Sequence, residues 1–300
     1  MAITVVPVTP TFAAEIGDVD LSRPLDPADV AAIKDAFTTY AVVIFPDQHL
    51  SQDQHLDFAT HFGPLETTIG VYRQKDAPLR LRKEFADVSN LNHQNEPWGK
   101  DSRQRMFQLG NRLWHTDSSF KRLPARASLL YARSIAPIGG HTEFADERAA
   151  YDALPEDMKR RLDSLVAEHS IFTSRARLGF TNFNDEERRE MPPVPQVVVR
   201  TLPESGRKSL YLASHAGRIL GMPEAEGRAL IEQLIAHATQ RQFVYTHRWR
   251  LHDLVIWDNR CTMHRGTAFD DLRWKRDVQR ATVCDVANSC ELAGIAVAAA

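Results

Sequence analysis

The spacing of apolar and polar positions changes several times along the chain. In LDPADVAAIKDAFTTY (25–40) apolar residues fall at Val30, Ile33 and Phe37, the period of a helix with one buried face. Asp26 can cap that helix, and Pro27 suits its first turn. AVVIF (41–45) is a short unbroken apolar run, which predicts a buried strand. Ser51 can cap a second helix, SQDQHLDFATHF, which Gly63-Pro64 stops. From 66 to 112 the period is lost and charge accumulates, with a basic run RQKDAPLRLRK at 73–83. That run reads as a solvated loop or a loop near an anionic ligand.

From 127 onward short strand-like runs follow one another: ASLLYAR, QVVVRT, KSLYLA, QFVYTH, DLVIWD and RATVCD. Two helical insertions interrupt them, 145–165, broken near Pro155, and 223–240. Residues 177–195 are aperiodic and read as a lid or binding loop. Many short strands with scattered helices exclude the strict alternation of a doubly wound α/β fold. They favour a mainly β chain with helical insertions, a sandwich or jelly roll with helices packed outside. The expected organisation is one domain over 1–286 and a tail over 287–300, frayed or weakly docked at its AVAAA end.

With 300 residues, 43% of them hydrophobic, the chain can bury a substantial core. Its 37 basic and 39 acidic residues leave a net charge of −2, which gives no sign of a nucleic-acid partner. MAITVVPVTPTF has no cationic leader, and no run approaches the roughly 20 apolar residues of a membrane span. The expectation is a soluble, cytoplasmic protein without a membrane partner. Cys261, Cys284 and Cys290 show no CxxC spacing and read as free thiols.

Candidate chemistry lies in the histidines. Side chains at i and i+2 share a face on a strand but stand about 200° apart on a helix. Three His-x-Asp/Glu pairs occur. His55 and Asp57 lie in a predicted helix, so they cannot chelate together. His115-Thr-Asp117 and His141-Thr-Glu143 both read as extended, and spacing alone leaves them rivals. A third ligand must come from afar, and His264, after the strand run DLVIWD, is the best-placed histidine. Two histidines and one carboxylate on one face are the ligand set of non-haem iron oxygenases. His169, His237 and His247 read as structural, and Trp114 and Phe120 as packing.

Several stretches, in order, carry a resemblance: LSQDQ (50–54), HFGPLE (61–66), LWHTDSSF (113–120), GGHTEFAD (139–146), AAYDALP (149–155), MPPV (191–194), HATQRQFVYTHRW (237–249) and LVIWDNRC with HRG (254–266). Over roughly 5–286 the chain resembles the taurine-dioxygenase-type Fe(II)/2-oxoglutarate-dependent dioxygenases, and within them the aryloxyalkanoate branch. The resemblance implies a double-stranded β-helix, or jelly-roll, core. It implies His115, Asp117 and His264 as ligands of Fe(II), with 2-oxoglutarate and O2 as cosubstrates, and sets His141 and Glu143 aside. It implies Thr142 and Arg276 as the grip on 2-oxoglutarate. Arg280 matches the arginine that holds the substrate's acid group, and Asn111 a substrate-contacting asparagine. His215 is a weaker candidate for a hydrogen bond to a substrate carboxylate.

The implied reaction hydroxylates the carbon beside the ether oxygen of an aryloxyalkanoate such as 2,4-dichlorophenoxyacetate. It releases a phenol and an oxo acid, with succinate and CO2. The implied partner is a small carboxylate, and the implied assembly a homo-oligomer, dimer or tetramer. Two rivals stand beside this reading: a taurine- or alkylsulfate-type dioxygenase, and a metal-binding barrel of another class, such as a zinc hydrolase. A hydrolase has no evident need for the arginine pair.

Overall fold

A computed structural model describes residues 3–67 and 79–296. The early elements follow the sequence pattern. Pro27–Tyr40 is a helix that buries Ile33, Ala36 and Phe37, and Ala41 ends it in a left-handed turn at φ 59°. Gln52–Thr60 is a helix with Ser51 in a reciprocal capping box with Gln54. His55 is buried on that helix with Nε2 on the Leu129 carbonyl, at 3.2 Å, while Asp57 faces outward.

The chain is mainly β with helices around it. Seven strands form one sheet in the order Thr4–Pro7, Ala13–Gly17, Val42–Phe45, Leu254–Asp258, Ala125–Ser134, Asp277–Cys284 and Phe85–Asp87. All of its pairings are antiparallel except that of Ala13–Gly17 with Val42–Phe45. The two faces of Leu254–Asp258 bury different cores. Leu254 and Ile256 meet Val43, Phe45 and residues of the first two helices, including Ile33, Phe37 and Phe58. Val255 and Trp257 meet Ile44, Leu130 and Phe144. Phe144 belongs to a second sheet, ordered Val244–His247, Thr142–Asp146, Thr262–Gly266. Its ring lies 5.3 Å from Trp257, so the small sheet packs on the large one through these two side chains.

The strand Leu254–Asp258 is unbroken, as an apolar run buried on both faces should be. QVVVRT instead divides into Val194–Val197 and Val199–Thr201, which pair in different sheets. The helical stretch at 145–165 breaks at Pro155 into Glu147–Asp152 and Glu156–Leu162.

One loop expectation needs correction. Residues 177–195 contain the helix Asp185–Glu190, capped reciprocally by Asn184 and Glu187. Phe180, Phe183 and Met191 of this segment are buried with Phe107 and Ile171. The helix itself buries nothing, which is why it leaves no period in the sequence. Much of the basic run, 73–78, lies outside the described residues. In its described part Arg82 and Lys83 are exposed, while Arg80 is half-buried between Asp87 and Asp277 and bonds both carboxylates at 2.7–3.2 Å. Most of the AVAAA end, 297–300, also lies outside the described residues, while Cys290 packs with Val166 and Val197.

Candidate active site

His115 and His264, distant in sequence, are brought together by a backbone bridge. Each donates its N–H to the other's carbonyl, at 3.0 and 2.8 Å. Residues paired this way across antiparallel chains put their side chains on one face, and the two imidazole rings stand 4.2 Å apart. Asp117 follows His115 by two, and its carboxylate lies 3.8 Å from His115 Nε2 and 3.7 Å from His264 Nε2. Among the described residues, His115, Asp117 and His264 are the one group that could hold a metal, with ligand atoms within 4.8 Å of one another.

The protonation states suit ligands. His115 Nδ1 donates to the Leu113 carbonyl at 2.7 Å, which leaves the Nε2 lone pair facing Asp117. Burial holds both imidazoles below the usual histidine range, His264 well below it, so both are neutral. Burial pushes the Asp117 carboxyl up, but the Arg280 guanidinium, His264, His115 and Ser128 outweigh it and bring it down to about 2. Asp117 is therefore an anion beside two neutral imidazoles. Three buried donors on one face leave the other positions of a six-coordinate ion open, so the donor set fits a divalent iron.

A closed hydrogen-bond ring aims the carboxylate. Ser128 Oγ donates to Asp117 Oδ2 at 2.7 Å, and Asn259 Nδ2 donates to Ser128 Oγ at 2.9 Å. Asn259 Oδ1 accepts from the Asp117 backbone at 3.2 Å and from Trp257 Nε1 at 3.0 Å. Arg280 Nη1 donates to the other oxygen, Asp117 Oδ1. Sequence reading missed Ser128 and Asn259. The available signal was a serine inside the apolar strand ASLLYAR, where a buried hydroxyl needs a partner.

Two chambers meet at this centre. The first, of roughly 870 Å³ and open to solvent, is lined by Gly140, Thr142, Trp257, His264 and Arg276 at its inner end. Arg276 is buried, and burial alone pushes its guanidinium down to about 10, still charged at neutral pH. Its Nε reaches the Gly140 carbonyl at 3.2 Å, and among the described residues no carboxylate lies within 4.0 Å of it. Gly140 has φ +66°, and a side chain there would press on Arg276 Cδ at 3.3 Å. Thr142 Oγ1 accepts from Trp249 Nε1 at 2.9 Å, so its own proton is left to donate.

The second chamber, of roughly 760 Å³, has Phe107, Phe120, Ile171, Arg175 and His215 in its wall. Asn111, His115 and Arg280 border both chambers. Phe120, expected only to pack, thus faces a cavity, with its ring 4.9 Å from that of His215. His215 is neutral, held well below the usual range by burial and by the nearby Arg175. Ser174 Oγ donates to the Ile171 carbonyl at 2.8 Å and accepts from Arg175 Nη1 at 3.1 Å. The 2.9 Å contact between Ser174 Oγ and His215 Nδ1 therefore carries the imidazole's proton, and Nε2 keeps a lone pair.

The other candidates are accounted for. Glu143 pairs with Arg265 at 2.7 Å, away from the metal group. His169 and His237 bond Ser119 Oγ and the Ala150 carbonyl, and His247 Nε2 lies 3.0 Å from the Asp253 carboxylate, as structural histidines do.

Residues 4–282 match the family described as taurine catabolism dioxygenase TauD, TfdA family. The chain belongs to this family. An alpha-ketoglutarate-dependent 2,4-dichlorophenoxyacetate dioxygenase from Cupriavidus pinatubonensis is 44% identical over 95% of the chain and 99% of its own length. An (S)-phenoxypropionate/alpha-ketoglutarate-dioxygenase from Sphingobium herbicidovorans is 37% identical over 90% of the chain and 91% of its own length. Among solved structures, that of AAD-2 in complex with Mn(II) and N-oxalylglycine superposes with a TM-score of 0.88, at 46% identity, covering 96% of this chain and 99% of that one. As a TauD/TfdA protein the chain is a dioxygenase, an oxidoreductase. No helix among the described residues is long and apolar enough to cross a membrane.

Proposed function

We propose that the protein is an Fe(II)/2-oxoglutarate-dependent dioxygenase that cleaves aryloxyalkanoates of the 2,4-dichlorophenoxyacetate kind. The observation that carries this is the pair of chambers at one group that could hold a metal, one with a buried arginine that has no carboxylate partner among the described residues and one with an aromatic wall. The relatives that act on 2,4-dichlorophenoxyacetate and phenoxypropionate support the substrate class. The two packed sheets, with His264 on the smaller, are read as the jelly-roll core common to such enzymes.

His115 Nε2, Asp117 and His264 Nε2 would hold the iron. Together with 2-oxoglutarate and O2 it supplies an oxidant that puts one oxygen atom into a C–H bond, with release of succinate and CO2. In the first chamber Arg276 and Thr142 hold the far carboxylate of 2-oxoglutarate. A buried guanidinium suits that group, because a planar fork of donors matches a carboxylate.

In the second chamber the aryl ring lies against Phe107, Phe120 and Ile171, and Arg280 holds the substrate carboxylate. Arg280 spends Nη1 on Asp117 and Nε on Thr282, at 3.2 Å, and keeps Nη2 for a ligand. Asn111 contributes its amide at the boundary between the chambers. His215 is reassigned from carboxylate donor to chamber wall, since a lone pair on Nε2 repels a carboxylate. Orientation decides the product: the carbon beside the ether oxygen must be the nearest C–H to the metal. Hydroxylation there gives a hemiacetal that collapses to a phenol and an oxo acid.

The test is an assay of Fe(II)-loaded protein with 2-oxoglutarate and O2, reading succinate and phenol in one tube. Matching succinate and phenol that appear only with 2,4-dichlorophenoxyacetate bear out the proposal. Succinate that appears only with taurine or an alkylsulfate moves the substrate. No succinate with any acid defeats the whole reading.

A further inference from the structure

The two chambers differ in charge. Among the described residues the first is lined by Arg105, Arg112, Arg276 and Arg280, and its lining holds one carboxylate, Asp271. In the second, Lys121, Arg175 and Arg280 are matched by Glu66, Asp87 and Asp117. A chamber with excess positive charge and low-dielectric walls draws anions from a distance more strongly than a balanced one.

Within the first chamber the charges are arranged in depth. Arg276 lies at the buried inner end, and Arg105, Asp271 and Arg112 are half-buried toward the outside. Arg105 forks onto Asp271, Nε to Oδ2 and Nη2 to Oδ1, both at 3.1 Å. Arg112 makes a single longer bond to the same carboxylate, 3.4 Å from Nη2, and its side chain is 36% exposed. One carboxylate thus serves two guanidinium groups, and Arg112 keeps most of its donors. The cluster is joined to the inner arginine through Asn90. Its Nδ2 donates to the Asp271 carbonyl at 2.7 Å, and its Oδ1 accepts from the Arg276 backbone at 2.8 Å.

We propose that Arg112 and Arg105, held on Asp271, form an outer anion subsite that receives the dicarboxylate cosubstrate on its way to Arg276. The aryloxy acid reaches the metal through the second chamber and does not use this subsite. This rests on reading the first chamber as the 2-oxoglutarate site. The partial neutralisation by Asp271 sets the strength of the subsite: strong enough to gather a dianion, weak enough to pass it inward.

The test uses Mn(II)-loaded full-length protein and 2-oxoglutarate, followed by stopped-flow tryptophan fluorescence, since Trp98 and Trp257 line the chamber. Arg112→Gln lowers the association rate constant about two- to tenfold and leaves the dissociation rate unchanged. Asp271→Asn, which removes the counter-charge, raises the association rate constant. Both differences shrink as salt is raised to about 0.5 M. The opposite signs separate a charge effect from a folding defect, which would slow both variants. Equal rate constants in all three proteins overturn the proposal. So does an Arg112→Gln effect confined to dissociation, which would place Arg112 in the final complex. A failure of the wild-type protein to bind 2-oxoglutarate at all removes the cosubstrate reading itself.

Discussion

Glu147 is fully buried, with Oε1 accepting from the Leu212 backbone at 2.9 Å and no hydrogen-bond partner for Oε2 among the described residues. Burial holds its carboxyl well above the usual range, so in the folded protein it is a neutral acid. The unfolded chain loses that proton near pH 4.5, the ordinary value. Above it, each further pH unit costs about 1.4 kcal/mol of stability until the folded group ionises too. Glu147→Gln keeps the shape and removes the titration. The variant should therefore be more stable than wild type, by a margin that widens as pH rises from 6 to 8 in urea unfolding. A margin that stays flat over that range would mean Glu147 is already charged in the fold. Ser128 offers a second test at this scale. Ser128→Ala leaves the strand intact but removes one donor to Asp117. Supporting bonds of this kind are worth about 10–100-fold in metal affinity, so Mn(II) titration should show a loss in that range, while unfolding costs no more than the roughly 1–3 kcal/mol of leaving Asn259 Nδ2 without its acceptor. The three residues that could hold a metal were legible as a His-x-Asp pair and a distant histidine, and the resemblance chose between His115 and His141. Ser128, Asn259 and the tautomer of His215 were not legible, because each depends on what lies across the fold. The sequence places His215 near the pocket, but only the contacts of Ser174 say which nitrogen carries the proton.

Elements with a long apolar period were readable, and elements without one were not. The helices Pro27–Tyr40 and Glu224–Ala238 each show a buried face over several turns. The helix Asp185–Glu190 buries no residue, so it writes no period into the sequence, and 177–195 looked like an open loop. Its position comes from contacts to either side. Glu187 pairs with Arg103 at 2.6 Å, which fastens it to the helix Arg103–Gln108, the carrier of Phe107. Phe183 supports this group edge-on, with ring centroids 4.5 Å from Phe172, 5.0 Å from Phe180 and 6.5 Å from Phe107. The segment thus shapes the second chamber from behind. Phe183→Ala should cost about 3 kcal/mol in unfolding free energy, the low end for a buried aromatic. It should also raise KM for the aryloxy acid several-fold while KM for 2-oxoglutarate stays put. An equal rise in both constants would show that the cluster supports the metal centre rather than one chamber.

At the scale of the whole molecule, the sheets decide which residues the two chambers share. Arg276 ends the loop that enters the strand Asp277–Cys284, and Arg280 lies four residues on, within it. That strand pairs with Ala125–Ser134, so Arg280 stands opposite Leu130 in register, next to Ser128 and the Asp117 it supports. Arg80, bonded to Asp87 and Asp277, fixes the edge strand Phe85–Asp87 to the same element. The strand and the residue leading into it therefore place Arg276 in the first chamber and Arg280 at the boundary, where His115 also sits. Such a layout makes a kinetic demand. N-oxalylglycine should compete with 2-oxoglutarate for Arg276 and Thr142, and it leaves the aromatic wall free. Steady-state inhibition should be competitive against 2-oxoglutarate and not competitive against 2,4-dichlorophenoxyacetate. Arg276→Gln should weaken the inhibitor and 2-oxoglutarate together, by about tenfold or more for each charge-assisted bond lost. Competition against both substrates would mean that the partition at Asn111 and Arg280 does not separate the ligands. The aryloxy acid would then have to enter the arginine-lined chamber, and its ring would lie away from Phe107 and Phe120.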